Sequence, residues 1–292
     1  MSHNLICILG PTASGKTKYA VKLAFENGGE IISADSRQVY RGMDIGTGKD
    51  LRDYVVNGVQ IPYHLIDIVE PGTKYNIFQY QQDFKRVYAD IVSRGKQPVL
   101  CGGSGLYIES VTRGYTLAEV PPDPHLRIQL ERLSMDELTE KLSSLKRLHN
   151  TTDLDSKKRV IRAIEIAMYE VNNSDEYNNS IDPQFTTKYI GMSVSREKRI
   201  EKIDRRLKER LKEGLVEEVQ RLLDGGLSPE DLIYYGLEYK YVTLFLTGKL
   251  TYSQMESQLA IAIHQFAKRQ MTWFRGMERR GIKIEWISAV YG

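Results

Sequence analysis

A glycine-rich segment near the amino terminus carries the residue types that bind phosphate. Residues 10–17 have the sequence GPTASGKT and fit the pattern G-x-x-x-x-G-K-[ST] in full. The backbone N–H groups of such a loop bind phosphate oxygens, Lys16 adds a positive charge, and the Thr17 hydroxyl is a ligand for Mg²⁺. The segment predicts a diphosphate or triphosphate site and leaves open which molecule carries it. The predicted contacts are Gly10, Pro11, Thr12, Ala13, Ser14, Gly15, Lys16 and Thr17.

A carboxylate follows the second predicted strand, within the sequence SADSRQVY of residues 33–40. At the end of a parallel strand, Asp35 is expected on the same edge of the sheet as the phosphate loop, where it could act as a general base. The alternative is a helix cap, since aspartate caps helices well. Arg37 and Gln38 have donors suited to a base edge or a phosphate, although such side chains are also common on surfaces.

Basic residues are concentrated in particular segments, although the net charge of the chain is only +3. Residues 196–212 contain nine basic and four acidic residues, so a helix there would have a positive face suited to a phosphate backbone. A solvated helix with local ion pairs is the alternative. Arg159 and Arg162 form an i, i+3 pair that could hold phosphates or simply be exposed.

Strands and helices alternate in the first part of the chain, which predicts an α/β fold like that of P-loop NTPases. Strands are predicted at 5–9, 30–34, 64–69 and 98–101, and helices at 18–26 and 78–93. This order indicates a parallel sheet with helices on both faces. A proline cluster at 121–124 and the amphipathic segments after it predict a small helical insertion.

The predicted domains are residues 1–114 for the first part of the core, 115–152 for the insertion, and 153–292 for the rest of the core. The last part contains predicted strands at 188–194 and 283–287. Its long helices are predicted at 197–223, 228–246 and 251–277.

The cysteines and the hydropathy pattern limit the cellular setting. Cys7 and Cys101 each lie in a predicted core strand, and the absence of a C-x-x-C pair argues against a zinc site or a disulfide framework. We therefore expect a reduced, cytoplasmic protein without a signal peptide or membrane span.

Six segments together resemble the tRNA dimethylallyltransferase (tRNA isopentenyltransferase) family, in its bacterial form. They occur in the family's order and span almost the whole chain. They are residues 10–17 (GPTASGKT), 32–49 (ISADSRQVYRGMDIGTGK), 102–107 (GGSGLY), 159–165 (RVIRAIE), 214–219 (GLVEEV) and 267–275 (AKRQMTWFR).

The resemblance implies transfer of a dimethylallyl group from dimethylallyl diphosphate to N6 of an adenosine in tRNA. That adenosine is 3′-adjacent to the anticodon, at position 37, in tRNAs reading codons that begin with U. The phosphate loop, with Lys16 and with Mg²⁺ on Thr17, would then bind the leaving diphosphate, and Asp35 would be the general base. The resemblance also implies a monomer that binds the anticodon stem-loop, partly through its helical insertion.

The resemblance also assigns contacts residue by residue. Contacts with tRNA are implied for Asp35, Ser36, Arg37, Gln38, Ser104, Arg127, Arg159 and Arg162, and Lys202 takes the place of a family arginine that reaches the diphosphate. Lysine keeps the charge there but loses the bidentate fork. Other departures are a short insertion, Asp155-Ser156 in place of N-D, and Ile263-His264 in place of T-R.

Three alternatives stay open at this point. A small-molecule kinase would use the phosphate loop, Asp35 and Mg²⁺, but it would leave the basic helices without a role. Prenylation of free adenine nucleotides uses the same chemistry without tRNA. A catalytically inactive RNA-binding descendant is disfavoured by the intact Lys16, Thr17 and Asp35.

Overall fold

The computed structural model describes residues 4–114, 119–145, 154, 156–172 and 186–288. They fall into two compact units, Met1–Arg113 with Pro183–Gly292, and Gly114–Asp182. Asp155 and the predicted limits of the insertion, residues 115 and 152, lie outside the described residues. None of the helices in the described ranges has the length and apolar character needed to cross a bilayer.

The first unit is built on a six-stranded sheet in which every described pair of strands is parallel. The described strands of this unit, six in the sheet and two in a separate hairpin, are β1 (Leu5–Leu9), β2 (Glu30–Ser33), β3 (Val55–Val56), β4 (Val59–Gln60), β5 (Tyr63–His64), β6 (Pro98–Gly102), β7 (Thr187–Ser193) and β8 (Ile284–Ser288). The sheet has the order β5-β2-β6-β1-β7-β8, and β3 and β4 form a separate hairpin. Parallel order places the carboxyl ends of β1, β2 and β6 side by side, as the sequence predicts.

Helices of the first unit cover both faces of this sheet. The described α-helices are α1 (Lys16–Glu26), α2 (Ile77–Ser93), α3 (Gly105–Thr112), α4 (Pro124–Glu131), α5 (Met135–Leu145), α6 (Lys157–Asn172), α7 (Arg196–Glu213), α8 (Leu215–Asp224), α9 (Pro229–Tyr234), α10 (Leu237–Leu246) and α11 (Tyr252–Arg279). Successive side chains of a strand point to opposite faces. Leu9 thus packs in the core under α2, α3 and α11, whereas Ile8 packs with Ala20 and Val21 of α1.

Two predicted continuous helices, at 197–223 and 228–246, are wrong because glycines interrupt them. Gly214 has φ 103° and separates α7 from α8, and Gly236 has φ 144° just before α10. This left-handed region suits glycine, which has no Cβ to clash. The predicted strand at 64–69 ends at His64, since Leu65 and Asp67 also have positive φ.

The second unit has a small helical core of its own. Leu130 of α4, Leu138 and Leu142 of α5, and Val160 and Ile164 of α6 are buried together. Helix α6 buries its apolar face against α5, so it belongs to this unit. The compact unit that holds these helices is Gly114–Asp182, whereas the sequence predicts an insertion of residues 115–152.

Candidate active site

The phosphate loop joins the end of β1 to the start of α1. Gly15 has φ 81° and immediately precedes Lys16, the first residue of α1. The loop therefore lies against a helix N-terminus, where free N–H groups and the helix dipole favour anions. The Ser14 hydroxyl is buried in the loop and has no hydrogen-bond partner among the described residues. A loop with an unsatisfied buried hydroxyl beside a helix N-terminus suits phosphate oxygens.

Asp35 lies directly beyond β2, at the start of a turn. Its Oδ1 accepts a hydrogen bond from the Arg37 N–H at 2.9 Å, and the Asp35 N–H donates to Ser33 Oγ at 3.3 Å. The capping alternative is thus partly realised, because one carboxylate oxygen holds the local turn. No cation of the described chain lies within ion-pair distance of this carboxylate. Its second oxygen is therefore not committed to a salt bridge among these residues.

Strand β6 brings Asp35 and the phosphate loop together at Cys101. The Cys101 carbonyl accepts a hydrogen bond from the Ala34 N–H at 2.7 Å. Burial raises the pKa of the Cys101 thiol to about 11, while Lys16 and a hydrogen bond with Thr17 lower it and Asp35 raises it. Thr17 is thus hydrogen-bonded to this buried thiol, and Lys16 and Asp35 lie within electrostatic range of it. The three predicted catalytic residues therefore lie at the same edge of the sheet.

Ser104 and Gln38 complete what we call the Asp35 rim, namely Asp35, Ser36, Arg37, Gln38 and Ser104. Ser104 Oγ accepts a hydrogen bond from the Ser36 N–H at 3.3 Å. Gln38 accepts from the Ser33 hydroxyl at 3.1 Å and donates to the Gly48 carbonyl at 3.2 Å. Much of the hydrogen bonding within the rim therefore fixes its own backbone. The predicted tRNA contacts of these residues stay predictions.

Gln270 is a site residue that the sequence reasoning did not single out. From α11, its Oε1 accepts the Thr12 N–H at 2.8 Å and its Nε2 donates to the Gly103 carbonyl at 3.0 Å. A Cβ on Gly103 would lie 2.4 Å from that Nε2, so a larger residue there would displace the Gln270 amide. One sequence signal could have found Gln270. In AKRQMTWFR this amide lies at helical spacing from Ala267 and Phe274, so it is on the buried face of the helix. Gln270 ties the phosphate loop to the loop that carries Ser104.

A small, open cleft adjoins the phosphate loop. It is lined by Thr12, Ala13, Ile203, Arg206, Leu207, Arg210, Glu238 and Ile263. Burial lowers the pKa of Lys16, with Arg206 and Arg210 contributing in the same direction and Asp35 opposing them. Burial likewise raises the pKa of Glu238 and lowers that of Arg210. The cleft thus contains two arginines, Arg206 and Arg210, and one acidic residue, Glu238.

The basic helix α7 turns two arginines toward the phosphate loop. A Cβ on Gly48 would lie 1.8 Å from an Arg210 nitrogen and 2.6 Å from an Arg206 nitrogen, so this glycine admits both guanidinium groups. Lys202 lies one turn earlier on α7 and is half-buried. Its contact with diphosphate stays a prediction. Of the two residues that replace the family's T-R, Ile263 lines the cleft and His264 contacts Asp204 at 2.8 Å.

The arginines predicted to bind tRNA in the helical unit contact a buried carboxylate. Arg127 donates to both oxygens of Glu165 at 3.0 and 2.8 Å. Arg162 pairs with the same carboxylate and donates to the Val120 carbonyl at 2.8 Å. Arg159, on α6, is exposed. Arg127 and Arg162 thus have a structural role, and tRNA binding by all three stays a prediction.

The residues at the phosphate loop fit Mg²⁺ held through a phosphate ligand. Among the described residues, no three His, Cys, Asp or Glu side chains form a ready-made metal cluster. Mg²⁺ commonly keeps several waters and binds through substrate phosphates and few protein oxygens. The Thr17 hydroxyl and the unsatisfied Ser14 hydroxyl provide such oxygens beside the loop.

A family model described as IPP transferase matches residues 38–277. The chain belongs to the IPP transferase family. A relative from Bacteroides fragilis, named tRNA dimethylallyltransferase 2, is 61% identical over 98% of this chain and 93% of its own length. A relative from Parabacteroides distasonis, named tRNA dimethylallyltransferase 1, is 60% identical over 99% of this chain and 93% of its own length. These identities extend over both units of the chain.

Membership of the IPP transferase family agrees with the fold. The full-length tRNA isopentenylpyrophosphate transferase of Bacillus halodurans has a TM-score of 0.70 and 32% identity, covering 99% of this chain and 90% of that one. The α/β fold with a parallel sheet is therefore confirmed. Two of the six segments that resemble the family in sequence, residues 10–17 and 32–49, include the ends of β1 and β2 and carry the phosphate loop and Asp35.

Proposed function

We propose that this protein transfers the dimethylallyl group of dimethylallyl diphosphate to N6 of the adenosine 3′-adjacent to the anticodon of tRNA. The observation that carries the proposal is the position of Asp35 and the phosphate loop on the two sides of β6, around Cys101. This arrangement suits a reaction in which a diphosphate leaves from one side while a proton is removed on the other. The names of the relatives support tRNA as the acceptor.

The phosphate loop stabilises the leaving group. As the C1–O bond of the donor breaks, its electron pair goes to the diphosphate, and negative charge grows there. N–H groups at the start of α1 and the Lys16 ammonium face this charge, and Arg206 and Arg210 of the adjacent cleft add positive potential. A Mg²⁺ ion held by Thr17 would supply further charge stabilisation when bound.

Asp35 accepts the proton from the attacking amine. The N6 lone pair of adenine is delocalised, so the amine becomes acidic only as its bond to C1 forms. Asp35 Oδ1 is oriented by the Arg37 N–H, and no ion pair among the described residues neutralises the carboxylate. A general base in position contributes roughly 10²–10⁴-fold to such a rate.

The acceptor adenosine has to leave its stack to reach the rim. An unpaired base in an anticodon loop does so at a cost of a few kcal/mol or less. We propose that Ser36, Arg37, Gln38 and Ser104 contact the extruded nucleotide, and that Arg127, Arg159 and Arg162 contact the anticodon stem. The enzyme would act as a monomer in the cytoplasm, on tRNAs reading codons that begin with U.

Incubation with labelled dimethylallyl diphosphate, Mg²⁺ and unmodified tRNA tests the proposal. The expected result is label on the adenosine beside the anticodon, with release of one diphosphate per label. ATP and AMP serve as competing substrates in parallel reactions. Consumption of ATP without labelled tRNA would indicate a kinase instead, and labelled AMP without labelled tRNA would indicate an enzyme for free nucleotides.

A further inference from the structure

Two adjacent tyrosines, Tyr234 and Tyr235, have opposite environments near the Asp35 rim. Tyr235 is 2% exposed, and its Oη accepts the Gly72 N–H at 2.6 Å and donates to the Thr73 carbonyl at 3.2 Å. Its ring packs edge-on against Tyr40 with centroids 4.5 Å apart. The end of α9 is therefore anchored to the core. Tyr234 is 50% exposed on this anchored backbone.

Arg37 of the rim lies over the ring of Tyr234. Its guanidinium carbon is 5.1 Å from the ring centroid, while Tyr235 contacts the same ring edge-on at a centroid distance of 5.7 Å. No carboxylate in the described part of the chain pairs with Arg37. The pair therefore presents an aromatic ring and a guanidinium plane without a neutralising acid.

This pair belongs to the neighbourhood of Asp35. The Arg37 N–H donates to Asp35 Oδ1, and the Tyr107 hydroxyl lies within electrostatic range of Arg37, Tyr234 and Asp35. Unstacked RNA bases are bound on aromatic rings and on arginine planes. A loop that gives up one base to the Asp35 rim leaves the neighbouring bases without a stacking partner.

We propose that Arg37 and Tyr234 form a stacking platform for the base next to the target adenosine. The platform would stabilise the extruded loop by replacing the stacking lost on extrusion. This inference rests on the proposed function, because it takes an unpaired RNA loop as the acceptor. Tyr234 would act in RNA binding, and the bonds that form and break would involve neither residue.

The first test compares Tyr234→Ala, Tyr234→Phe and the control Tyr252→Ala for binding to an unmodified anticodon stem-loop RNA. Tyr252 is 46% exposed and lies eighteen residues before Gln270 on α11, about 27 Å along that helix. Stacking on one ring predicts an increase in Kd of about tenfold for Tyr234→Ala. Tyr234→Phe and Tyr252→Ala should bind like the wild type, and the KM for dimethylallyl diphosphate should be unchanged in all three.

The second test uses RNAs that lack a base immediately 5′ or 3′ of the target adenosine, or the target base itself. One neighbouring abasic site should weaken wild-type binding and leave the affinity of Tyr234→Ala unchanged. Equal affinity of wild type and Tyr234→Ala for intact RNA would overturn the inference. So would coupling to the target base alone, or a loss in Tyr252→Ala as large as in Tyr234→Ala.

These outcomes separate the inference from the proposed function. Binding is measured without transfer, so a wild type that binds the RNA but incorporates no label contradicts only the proposed reaction. A wild type that incorporates label while Tyr234→Ala binds normally contradicts only the platform. Thermal unfolding of each variant checks that the exposed ring is removed without loss of the fold.

Discussion

Arginines occur in two contrasting environments in this protein. In the Asp35 rim, Arg37 has no carboxylate partner among the described residues and lies over an exposed tyrosine ring. In the helical unit, Arg127 and Arg162 both contact Glu165, which is 3% exposed. We call these three residues the Glu165 cluster. In the first environment the guanidinium group has no carboxylate partner among the described residues and can bind a ligand. In the second, the guanidinium groups form hydrogen bonds with a buried carboxylate.

This contrast has a physical origin in where the residues lie. The rim follows the carboxyl ends of parallel strands, where backbone turns supply the local hydrogen bonds and side chains can face a ligand. The Glu165 cluster lies between packed helices, where a buried carboxylate needs partners because desolvation is costly. Arginines with the same sequence signal therefore differ in how much of their binding capacity is already used.

The largest expected effect comes from Asp35→Asn, which keeps the shape of the rim and removes the base. Transfer of the dimethylallyl group should fall by roughly 10²–10⁴-fold, because the amine proton loses its acceptor. RNA affinity and the unfolding midpoint should stay close to those of the wild type. Asp136→Asn, at an exposed position of α5, is the matched control. Single-turnover transfer at saturating donor measures the loss, and a rate within twofold of wild type would remove Asp35 from this role.

Gln270→Leu tests whether the site also depends on the two hydrogen bonds that Gln270 makes to the phosphate loop and to the loop that carries Ser104. The substitution leaves the Thr12 N–H and the Gly103 carbonyl without their described partner, so both loops lose their common anchor. A displacement of about 1 Å in a site of this kind costs on the order of 10²-fold in rate. The measurement is kcat/KM for the donor and for tRNA.

Gln265→Leu, at an exposed position of the same helix, is the control. Gln270→Leu should lower kcat/KM for both substrates, because Gln270 contacts loops on both sides of the site. An effect on stability alone, with normal kinetics at low temperature, would make Gln270 a packing residue only.

The fold and the edge of the sheet that carries the candidate site were predictable from sequence for a simple reason. The phosphate loop and Asp35 each follow a short apolar strand, and parallel strands place their carboxyl ends together. The breaks at Gly214 and Gly236 were harder to predict, because the apolar periodicity continues through both glycines. Only the backbone shows that each adopts a positive φ.

Partners distant in sequence were beyond prediction. Gln270 is separated from Thr12 by 258 residues, and no local pattern connects a helix amide with a loop N–H. The same holds for Glu165, whose contact with Arg127 joins α4 to α6. The family resemblance predicted tRNA contacts for Arg127 and Arg162, but their pairing with Glu165 depends on tertiary packing.

In the helical unit, Glu165→Gln should reduce stability and leave the chemical step intact. The amide keeps the shape of the side chain but cannot accept from both arginines and the Asp123 N–H at once. Losing buried hydrogen bonds of this kind costs about 1–3 kcal/mol in the free energy of unfolding. Urea unfolding measures it, with the exposed Glu140→Gln as control. A large fall in the single-turnover transfer rate of Glu165→Gln would contradict a purely structural role for the Glu165 cluster.

The smallest effect is the acid dependence of this stability difference. Burial alone would raise the pKa of Glu165, but hydrogen bonds from Arg127, the Asp123 N–H and Arg162 lower it overall. A carboxylate with a lowered pKa in the folded state stabilises the fold above its unfolded pKa of about 4.3, and this contribution is lost as the pH falls. The gap in unfolding free energy between wild type and Glu165→Gln should therefore be constant from pH 7 to about 5 and narrow at lower pH. A gap that widened with acid would place a neutral Glu165 in the folded protein and contradict its pairing with the two arginines.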